Sequence, residues 1–490
     1  MPNNKTNTTL MTEDIVRLPL VSPNNIRNLD SSQANKDKRF INCFAEKIRN
    51  PLSSSANVQY YVTKRPGFAT HTTPEATSVA SAICVWSVND TDAVITAFGA
   101  TNSTLYTGTT ELGTVTGVST FINQTLVAGT ANIVTTTTSN KAYYSTGGTF
   151  TEITDGDFPS NAGRTITGPF VFVDGYAFIM DTSGRIYNSD LNSIANWTAD
   201  SYIAANIYPD TGVGLARYKN MIVAFGKETV EFFYNAGNTP GSPLSRYESG
   251  FVHFGCVSQY GFAQIEDTIG WVSASDKSGL GVFLLDGVQP KKVSNPYIES
   301  QLATSTTAGI FVTAGKIVGK TFLVVTSSVG TFVYVVEDDM WHEWSSTTVL
   351  WHHMSGTTAG ARKLYSVSRT STSGKVFVIN PASLTYQDNA AAYTMTLQTA
   401  KFDGDTVNYK FQNKLSVIGD KTASANAVSV SWSDDDYQTW STARTIDLAN
   451  NDPYLMNGGK FRRRAYKLTN AVNNPVRLEA IELQLKQGIH

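Results

Sequence analysis

The chain has 490 residues, a formal net charge of −2 and a charged fraction of only 16%. This length exceeds what one ordinary hydrophobic core supports, so several domains or one large repeat-built domain are expected. The low charge, the many Thr, Ser, Asn, Gly and Val residues and the lack of helical periodicity predict an all-β protein and exclude a mainly helical one.

The N-terminal stretch MPNNKTNTTLMTEDIV is polar and lacks the basic and apolar regions of a cleaved secretion signal. No apolar run approaches the roughly 20 residues that span a bilayer, so the sequence predicts a soluble protein. Cys43, Cys84 and Cys256 are odd in number and far apart, which argues against a disulfide framework or a zinc site and fits synthesis in a reducing cytoplasm. Residues 1–70 show no repeat and are predicted to form an extended arm that contributes to a platform.

Charge is unevenly distributed along the chain. Lys and Arg outnumber Asp and Glu by 10 to 5 in residues 1–70 and by 12 to 10 in residues 401–490, whereas residues 71–400 carry 16 against 25. The ends are therefore mildly basic and the middle is acidic. An acidic middle is a poor electrostatic partner for nucleic acid, which requires clustered Lys and Arg against phosphate.

A weak internal repeat occupies the middle of the chain. Each copy is an aromatic-apolar strand that ends in a polar turn, and successive copies lie 37 to 51 residues apart, with anchors at Tyr106, Tyr143, Tyr187, Phe233, Phe283, Tyr334 and Phe377. This spacing is typical of four-stranded propeller blades, which take about 40 to 50 residues each. Residues 71–390 are thus predicted to form a β-propeller of six or seven blades, the lower number applying if the first and last copies share a blade. A pair of β-sandwiches is the alternative.

Residues 391–490 differ from the repeat region in pattern. Stretches such as YKFQNKLSVIG, AVSVSWS and RLEAIELQLK alternate apolar with polar residues, as strands with one buried face do. They predict a β-sandwich platform domain, formed together with the other chain end.

The run SWSDDDYQTW within this domain raises the question of a metal or catalytic site. Ser433, Asp435, Thr439 and Trp440 follow the S-x-D-x-G-x-T-W turn known as an Asp-box, with Tyr437 where Gly is usual. In that turn the Ser, Asp and Thr side chains hydrogen-bond to the hairpin's own backbone. Three consecutive Asp supply too few converging oxygens for calcium, so a structural turn is predicted.

No other constellation indicates chemistry. His342, His352 and His353 are close in sequence, but adjacent residues on a strand point to opposite faces, so no metal site is predicted. No isolated carboxylate pair, nucleophile elbow or phosphate-binding loop is present, so we predict no catalytic residues and no cofactor. The cluster Arg462, Arg463 and Arg464 is placed on a strand and interpreted as a subunit interface, with simple solvated charge as the alternative.

Several stretches together resemble a known family. KRFINCFAEKIRNPL, then YYVTKRPGF, the central GPFVFVDGYAFIM and KNMIVAFGKETVEFFYNAG, and the closing SWSDDDYQTWS and FRRRAYKL are similar, in this order, to the packaged DNA stabilisation proteins of short-tailed bacteriophages. These are also called tail hub or tail nozzle proteins. The resemblance covers nearly the whole chain and rests on the order of individually loose motifs.

The resemblance implies a non-enzymatic structural protein of the virion tail, made in the host cytoplasm. Six copies would form a ring at the distal end of the portal and adaptor channel, where they retain packaged DNA and give it passage at infection. The implied partners are the adaptor ring, a tail fibre or tailspike, a tail needle, and double-stranded DNA that passes without sequence-specific contact. The alternatives are a propeller glycosidase or lectin acting on host surface polysaccharide and, with less support, a cell-surface adhesin.

Overall fold

The computed structural model describes residues 13–21, 39–47, 60–88, 91–276, 279–317, 319–346, 353–356, 363–369 and 373–488. The chain forms two compact units. The first unit, called the sandwich, comprises residues 1–66, 342–344 and 391–490, and the second, called the propeller, comprises residues 67–341 and 345–390. The predicted all-β class is confirmed.

The propeller contains seven blades of four antiparallel strands each; six of them are separate four-stranded sheets, and blade 6 is made by the first four strands of a nine-stranded sheet. The strand that completes the last blade, β5, precedes the strands of all the other blades in the chain. The N-terminal strands are β1 Glu13–Pro19, β2 Arg39–Ile41, β3 Cys43–Lys47, β4 Tyr60–Lys64 and β5 Ala69–Thr72. Blades 1 to 3 are β6 Ala80–Val88, β7 Thr91–Phe98, β8 Ser103–Thr107, β9 Thr110–Val115; β10 Ser119–Val127, β11 Thr130–Thr137, β12 Ala142–Ser145, β13 Thr151–Glu152; and β14 Ile166–Val173, β15 Tyr176–Asp181, β16 Arg185–Ser189, β17 Trp197–Ala204.

Blades 4 to 7 repeat the same plan of a strand meander. They are β18 Gly212–Tyr218, β19 Met221–Gly226, β20 Val230–Asn235, β21 Leu244–Arg246; β22 Phe262–Ile265, β23 Thr268–Ser273, β24 Gly281–Asp286, β25 Gln289–Lys292; β26 Phe311–Ile317, β27 Lys320–Ser327, β28 Gly330–Val335, β29 Met340–Trp344; and β30 His353–Gly356, β31 Leu364–Val367, β32 Val376–Ile379 with β5. A short helix, α1 Pro296–Ala303, precedes blade 6 and is capped by the Asn295 side chain.

All seven repeat anchors lie on the third strands of separate blades, from Tyr106 on β8 to Phe377 on β32. The blade number is therefore seven, and the first and last copies do not share a blade. The last blade obtains its fourth strand from the start of the propeller, since Phe377 of β32 pairs with Thr70 of β5. The first strands of successive blades contact one another around a ring that closes between β30 and β6.

Local turn chemistry explains why the blades form hairpins. Asp174 and Gly175, which connect β14 to β15, have φ values of +50° and +83°, as the predicted two-residue turn requires. At the next turn the buried carboxylate of Asp181 accepts hydrogen bonds from the backbone N–H groups of Ser183 and Arg185 at 2.8 and 3.0 Å. The turns that separate the apolar strands are thus determined by neighbouring residues.

The sandwich consists of two sheets. The C-terminal strands of the chain are β33 Gln387–Asp388, β34 Ala391–Ala392, β35 Met395–Gln398, β36 Lys410–Gly419, β37 Ala427–Ser433, β38 Arg444–Asp447, β39 Tyr454–Phe461, β40 Ala465–Asn470 and β41 Arg477–Gln487. One sheet has the order β3-β4-β41-β36-β39, with β1 also on β41, and the other contains β2-β35-β40-β37-β38. The sheets meet where the Tyr466 hydroxyl donates to Gln412 Oε1 at 2.7 Å.

Two buried cations tie the N-terminal segment into the sandwich. Lys64 donates to Asn470 Oδ1 at 2.9 Å and to the Val472 carbonyl at 2.6 Å. Arg65 donates to Asn42 Oδ1 at 2.8 Å, and its guanidinium lies 4.1 Å from the Tyr393 ring centroid. Hydrogen bonds and ring contacts replace the water that these cations lose on burial.

Two boundaries differ from the sequence-based division, which assigned residues 1–70 to the N-terminal arm and 71–390 to the propeller. Residues 67–70 belong to the propeller. His342–Trp344 belong to the sandwich because Glu343 pairs in parallel with Ile41 and accepts the Asn42 N–H at 2.8 Å. His342 and Trp344 also pack their rings against Phe44. A pairing between segments so far apart in the chain has no local sequence signal.

Candidate functional site

The acidic run and the arginine cluster meet in the sandwich. Arg464 is only 2% exposed and holds Asp434 with two parallel hydrogen bonds of 2.7 Å. Its third nitrogen donates to the Gly458 carbonyl at 2.7 Å and to Gln412 Oε1 at 3.1 Å. The guanidinium also lies 4.3 Å from the Phe461 ring centroid. The first aspartate of the run therefore neutralises a buried arginine.

The second aspartate organises the turn itself. Asp435 Oδ1 accepts the Thr439 N–H at 2.9 Å and the Ser433 hydroxyl at 2.8 Å, and its other oxygen accepts the Thr439 hydroxyl. The Ser433 hydroxyl in turn accepts the Tyr437 N–H at 2.9 Å. The Trp440 ring packs against Tyr437, with centroids 5.9 Å apart. The four predicted residues are thus placed together as a hydrogen-bonded hairpin turn.

Tyr437 adopts a backbone conformation that suits the glycine of the usual motif. Its φ is +68°, which costs a residue with a Cβ of the order of 1 kcal/mol. The tyrosine hydroxyl donates to the Thr399 carbonyl at 2.9 Å, and this contact offsets the strain. The departure from the motif is therefore accommodated by an additional hydrogen bond.

We expect the carboxyl of Asp435 to titrate well below the ordinary range. The Thr439 hydroxyl and N–H, together with the Ser433 hydroxyl, hold the pKa of Asp435 at about 2. Because the unfolded-chain pKa is near 3.9, the ionised form stabilises the fold above about pH 4, and this stabilisation is lost as pH falls toward 2. NMR titration should give the low midpoint, and Asp435→Asn should flatten the dependence of stability on pH between 4 and 2. A midpoint near 4 would contradict the turn's hydrogen-bond pattern.

The third aspartate pairs at the surface. Asp436 accepts two hydrogen bonds from Arg463 at 2.8 and 3.0 Å. Arg462 and Arg463 lie in a bend between β39 and β40, so the predicted placement of the cluster on a strand is wrong for these two residues. Since Arg464 is buried, the interface prediction remains for Arg462 and Arg463 alone.

Four large apolar side chains are exposed on the outward surface of the sandwich, here called the outer sheet face. It is formed by alternate residues of β1, β41, β36 and β39, whose cross-strand partners place Lys414 beside Met456 and Ser416 beside Tyr454. Ile15 is 70% exposed, Phe411 42%, Tyr454 47% and Met456 44%. Large side chains exposed together on one face mark an interaction surface more often than isolated ones do.

Basic side chains lie beside Tyr454 and beside Tyr409, which precedes Phe411 by two positions. Lys414 lies 4.5 Å from the ring centroid of Tyr454, and Lys460 and Arg462 lie 5.3 and 4.6 Å from that of Tyr409. Sequence reasoning identified Arg462 but missed the outer sheet face. The sequence contained an indication of this face. In β36 and β39 apolar residues alternate with polar ones, and Phe411, Tyr454 and Met456 occupy positions at which the alternation predicts polar, outward-facing residues.

The propeller has an open cavity of about 570 Å³ on its axis, lined by residues from the first strands of blades 1 to 6. Phe121 of blade 2 stacks on Tyr260, which immediately precedes blade 5, at a centroid distance of 5.2 Å. Blades 2 and 5 are not neighbours, so this contact crosses the axis. Phe311 packs on Tyr260 at 4.8 Å, and Arg369 covers Phe311 at 4.6 Å. Together these side chains form an aromatic cluster with a bound guanidinium cation at the axis.

The histidines and cysteines form no metal site in the part of the chain that the structure describes. No group of three His, Cys, Asp or Glu side chains there could hold an ion. His342 is buried among the rings of Phe40 and Phe44. His352 lies outside the described residues. Cys256 is buried, which raises the pKa of its thiol to about 12. Among the described residues, no helix is long and apolar enough to cross a membrane.

The chain forms a closed seven-bladed propeller and a β-sandwich. The charged residues of the sandwich stabilise the turns and core of the sandwich itself, and this architecture defines a structural scaffold. The family model described as "Bacteriophage P22 Gp10, beta-propeller" matches residues 32–363. The chain belongs to this family. It is therefore a bacteriophage structural protein of the kind that stabilises packaged DNA.

Other comparisons add little. No curated protein matches the chain. Solved structures similar to it include BBS1N in complex with ARL6DN (14% identity, 64% of this chain and 96% of that chain, TM-score 0.42). BamB from Moraxella catarrhalis has 11% identity over 75% and 99% of the two chains, with a TM-score of 0.37. The designed Ika8 protein has 12% identity over 64% and 99%, with a TM-score of 0.38. Likenesses of this strength carry no functional argument.

Proposed function

We propose that this protein is the tail nozzle subunit of a short-tailed bacteriophage. Six copies form a ring at the distal end of the portal and adaptor channel, retain the packaged DNA and let it pass at infection. The protein acts by assembly and not by catalysis, and it resides in the virion tail after synthesis in the host cytoplasm. Membership of the phage stabilisation family supports this proposal.

The outer sheet face is the observation that best supports assembly of the subunits into a ring. Its four exposed apolar side chains would remain in contact with water in a monomer, and burying them against a neighbour is favourable by about 25 cal/mol per Å². A ring requires each subunit to present two different complementary surfaces. Basic side chains such as Lys414 lie on the outer sheet face, whereas Asp and Glu outnumber Lys and Arg in residues 71–400. The charges of these two surfaces are therefore complementary.

The axial cavity of the propeller bears on the path of the DNA. The aromatic rings of Phe121 and Tyr260 stack across the propeller axis with their centroids 5.2 Å apart. They leave no passage for a DNA duplex, whose major groove alone is about 12 Å wide. The lumen that carries DNA therefore lies between subunits of the proposed ring and not through a propeller. An acidic middle would let the duplex slide without sequence-specific contact.

The remaining partners follow from the proposed position. One surface of the ring would bind the adaptor ring, and a tail fibre or tailspike and a tail needle would attach to the nozzle. Arg462 and Arg463, which stay exposed, are suited to such contacts because guanidinium groups pair with carboxylates in a bidentate manner.

The test is assembly of a variant with a polar outer sheet face. The triple variant Phe411→Thr, Tyr454→Thr, Met456→Thr should fold normally, because surface changes usually alter stability by less than about 0.5 kcal/mol. Central interface anchors contribute about 1 to 2 kcal/mol each, so the concentration for half-assembly should rise at least tenfold. Mass photometry and negative-stain imaging would show sixfold rings for the wild type and monomers for the variant.

A matched control replaces equally exposed apolar residues of the propeller by Leu191→Thr, Leu384→Thr and Val329→Thr. This control should assemble like the wild type. A wild-type protein that neither forms rings nor occurs in purified virion tails would refute the proposed function. Rings formed equally well by the Phe411 triple variant would refute only the role of the outer sheet face.

A further inference from the structure

Blade 4 of the propeller carries a second cluster of exposed apolar and aromatic side chains. This cluster, here called the blade-4 patch, consists of Ile207, Tyr208, Tyr247, Phe251 and His253. Ile207 and Tyr208 are each 43% exposed, and Tyr247 is 41% exposed. The His253 ring packs edge-on against the rings of Tyr208 and Phe251, with centroids 5.7 and 4.8 Å apart. Exposed apolar groups that adjoin one another mark protein interaction surfaces, and tyrosine is common among the residues that dominate binding.

A buried ion pair holds the loop that presents Ile207 and Tyr208. Glu231 is only 2% exposed, and its carboxylate accepts the Ile207 N–H at 2.9 Å and the Arg246 Nε–H at 2.8 Å. Arg246 also donates to the Ala204 carbonyl at 2.7 Å, at the start of the same loop. Because the loop is already ordered, binding of a partner costs little further conformational entropy. The blade-4 patch is therefore preorganised for a contact.

Carboxylates outnumber cations around the blade-4 patch. Four of them lie in or beside its segments: Asp210, Glu228, Glu248 and Asp276. Asp210 accepts the Glu228 N–H at 2.8 Å, and Glu228 accepts the Asp276 N–H at 3.1 Å, so these three lie together. Arg246 is neutralised by Glu231, and the exposed Lys227 opposes one of the four charges. The surface is thus apolar at its centre and acidic around it.

We propose that the blade-4 patch of one subunit binds the outer sheet face of the next copy of the chain in the ring. This inference rests on the proposed nozzle function, because it identifies the second of the two different surfaces that a ring requires. The outer sheet face combines exposed apolar side chains with the exposed cations Lys460 and Arg462. Contact between the two surfaces buries apolar groups at the centre and brings opposite charges together at the rim.

Charge disfavours the pairing of either surface with a copy of itself. Two outer sheet faces would bring cations toward cations, and two blade-4 patches would bring carboxylates toward carboxylates, which opposes binding. A contact between identical surfaces also has twofold symmetry and ends at a dimer. A contact between two different surfaces leaves one of each free on the pair, so further copies can add until the ring closes.

The test mixes two variants that each lack one surface. The patch variant Ile207→Thr, Tyr208→Thr, Tyr247→Thr keeps the outer sheet face, and the Phe411 triple variant keeps the blade-4 patch. Each variant alone should need at least a tenfold higher concentration for half-assembly than the wild type. An equimolar mixture should instead form a 1:1 dimer, because one pair of intact surfaces remains. Analytical ultracentrifugation at high micromolar concentration measures these states, and circular dichroism checks that both variants are folded.

A charge exchange tests the same contact without removing apolar side chains. Glu248→Lys together with Asp276→Lys changes two exposed residues and should raise the half-assembly concentration at least tenfold. Adding Lys460→Glu and Arg462→Glu to the same chain restores opposite charges and should recover most of the lost assembly. The control with Leu191, Leu384 and Val329 replaced by threonine should assemble like the wild type.

Three results would overturn this inference and leave the nozzle function intact: wild-type rings accompanied by normal rings of the patch variant, a dimer formed by the patch variant alone, or a mixture that stays monomeric. The second of these would show that outer sheet faces pair with each other. A wild type that forms no ring, with a mixture that still forms the 1:1 dimer, would refute the nozzle and retain the contact between the two surfaces.

Discussion

Replacing Gly67 by alanine is expected to open the propeller at its closure, with a loss of about 3 kcal/mol in the free energy of unfolding. A Cβ at this position would lie 2.0 Å from the Gln387 carbonyl oxygen. The Gly67 N–H also donates to the Thr385 carbonyl at 2.6 Å, so the two backbones cannot separate without breaking a hydrogen bond. The obstacle is backbone, which cannot rotate away as a flexible side chain would.

The effect should concentrate on the last blade. Phe68 follows Gly67, is buried, and its N–H donates to Asp388 Oδ1 at 2.9 Å, and β5 begins one residue later. Hydrogen exchange of β5 and β32 should therefore accelerate in Gly67→Ala before the other blades respond. Chemical denaturation would measure the overall loss of stability.

A matched control for this experiment is Gly148→Ala. A Cβ added to Gly148 would have no heavy atom within 4 Å, so this substitution should change the stability by less than about 0.5 kcal/mol. Equal stability and equal β5 exchange in Gly67→Ala and wild type would show that the closure does not depend on the close approach to Gln387.

The second large effect is expected from Asp434→Ala, which should destabilise the sandwich by about 3 kcal/mol. The substitution leaves the buried guanidinium of Arg464 without its carboxylate partner. The Asp434 side chain is 42% exposed, so water can replace part of the lost interaction, and the expected cost lies at the low end of that for breaking a buried pair. Urea denaturation followed by tryptophan fluorescence would measure this loss in the free energy of unfolding.

The neighbouring pair supplies the control. Asp436→Ala breaks the surface pair with Arg463, whose side chain is half exposed, and should cost less than about 1 kcal/mol. A double variant Asp434→Ala, Arg464→Met should recover part of the stability, because no charge is left buried. If Asp434→Ala and Asp436→Ala cost the same, the Arg464 pair contributes no more than a surface pair.

Much of the fold could be predicted because its signals are local. Blade spacing follows from a meander of short strands, so seven aromatic residues at 37 to 51 residue intervals locate the third strand of every blade. The Asp-box is equally local, since Ser433, Asp435 and Thr439 bond within seven residues. The sequence alone also predicted the all-β class and the family.

Other features required the tertiary structure. Alternation along a strand predicts that Arg462 and Arg464 share a face, but Arg462 is exposed and Arg464 is buried beside Asp434, because a bend interrupts the period of two at that point. The stack of Phe121 on Tyr260 at the propeller axis likewise joins residues that are 139 positions apart and meet only when the blades form a ring.

The repeat, the turns and the alternation along the strands could be predicted because each depends on residues within a few positions of one another. Three features could be seen only in the folded protein: the strand that closes the seventh blade, the burial of Lys64 and Arg65, and the pairing of three consecutive aspartates with particular arginines. These outcomes depend on contacts between distant segments, and such contacts are set by the closure of the ring and the packing of two sheets.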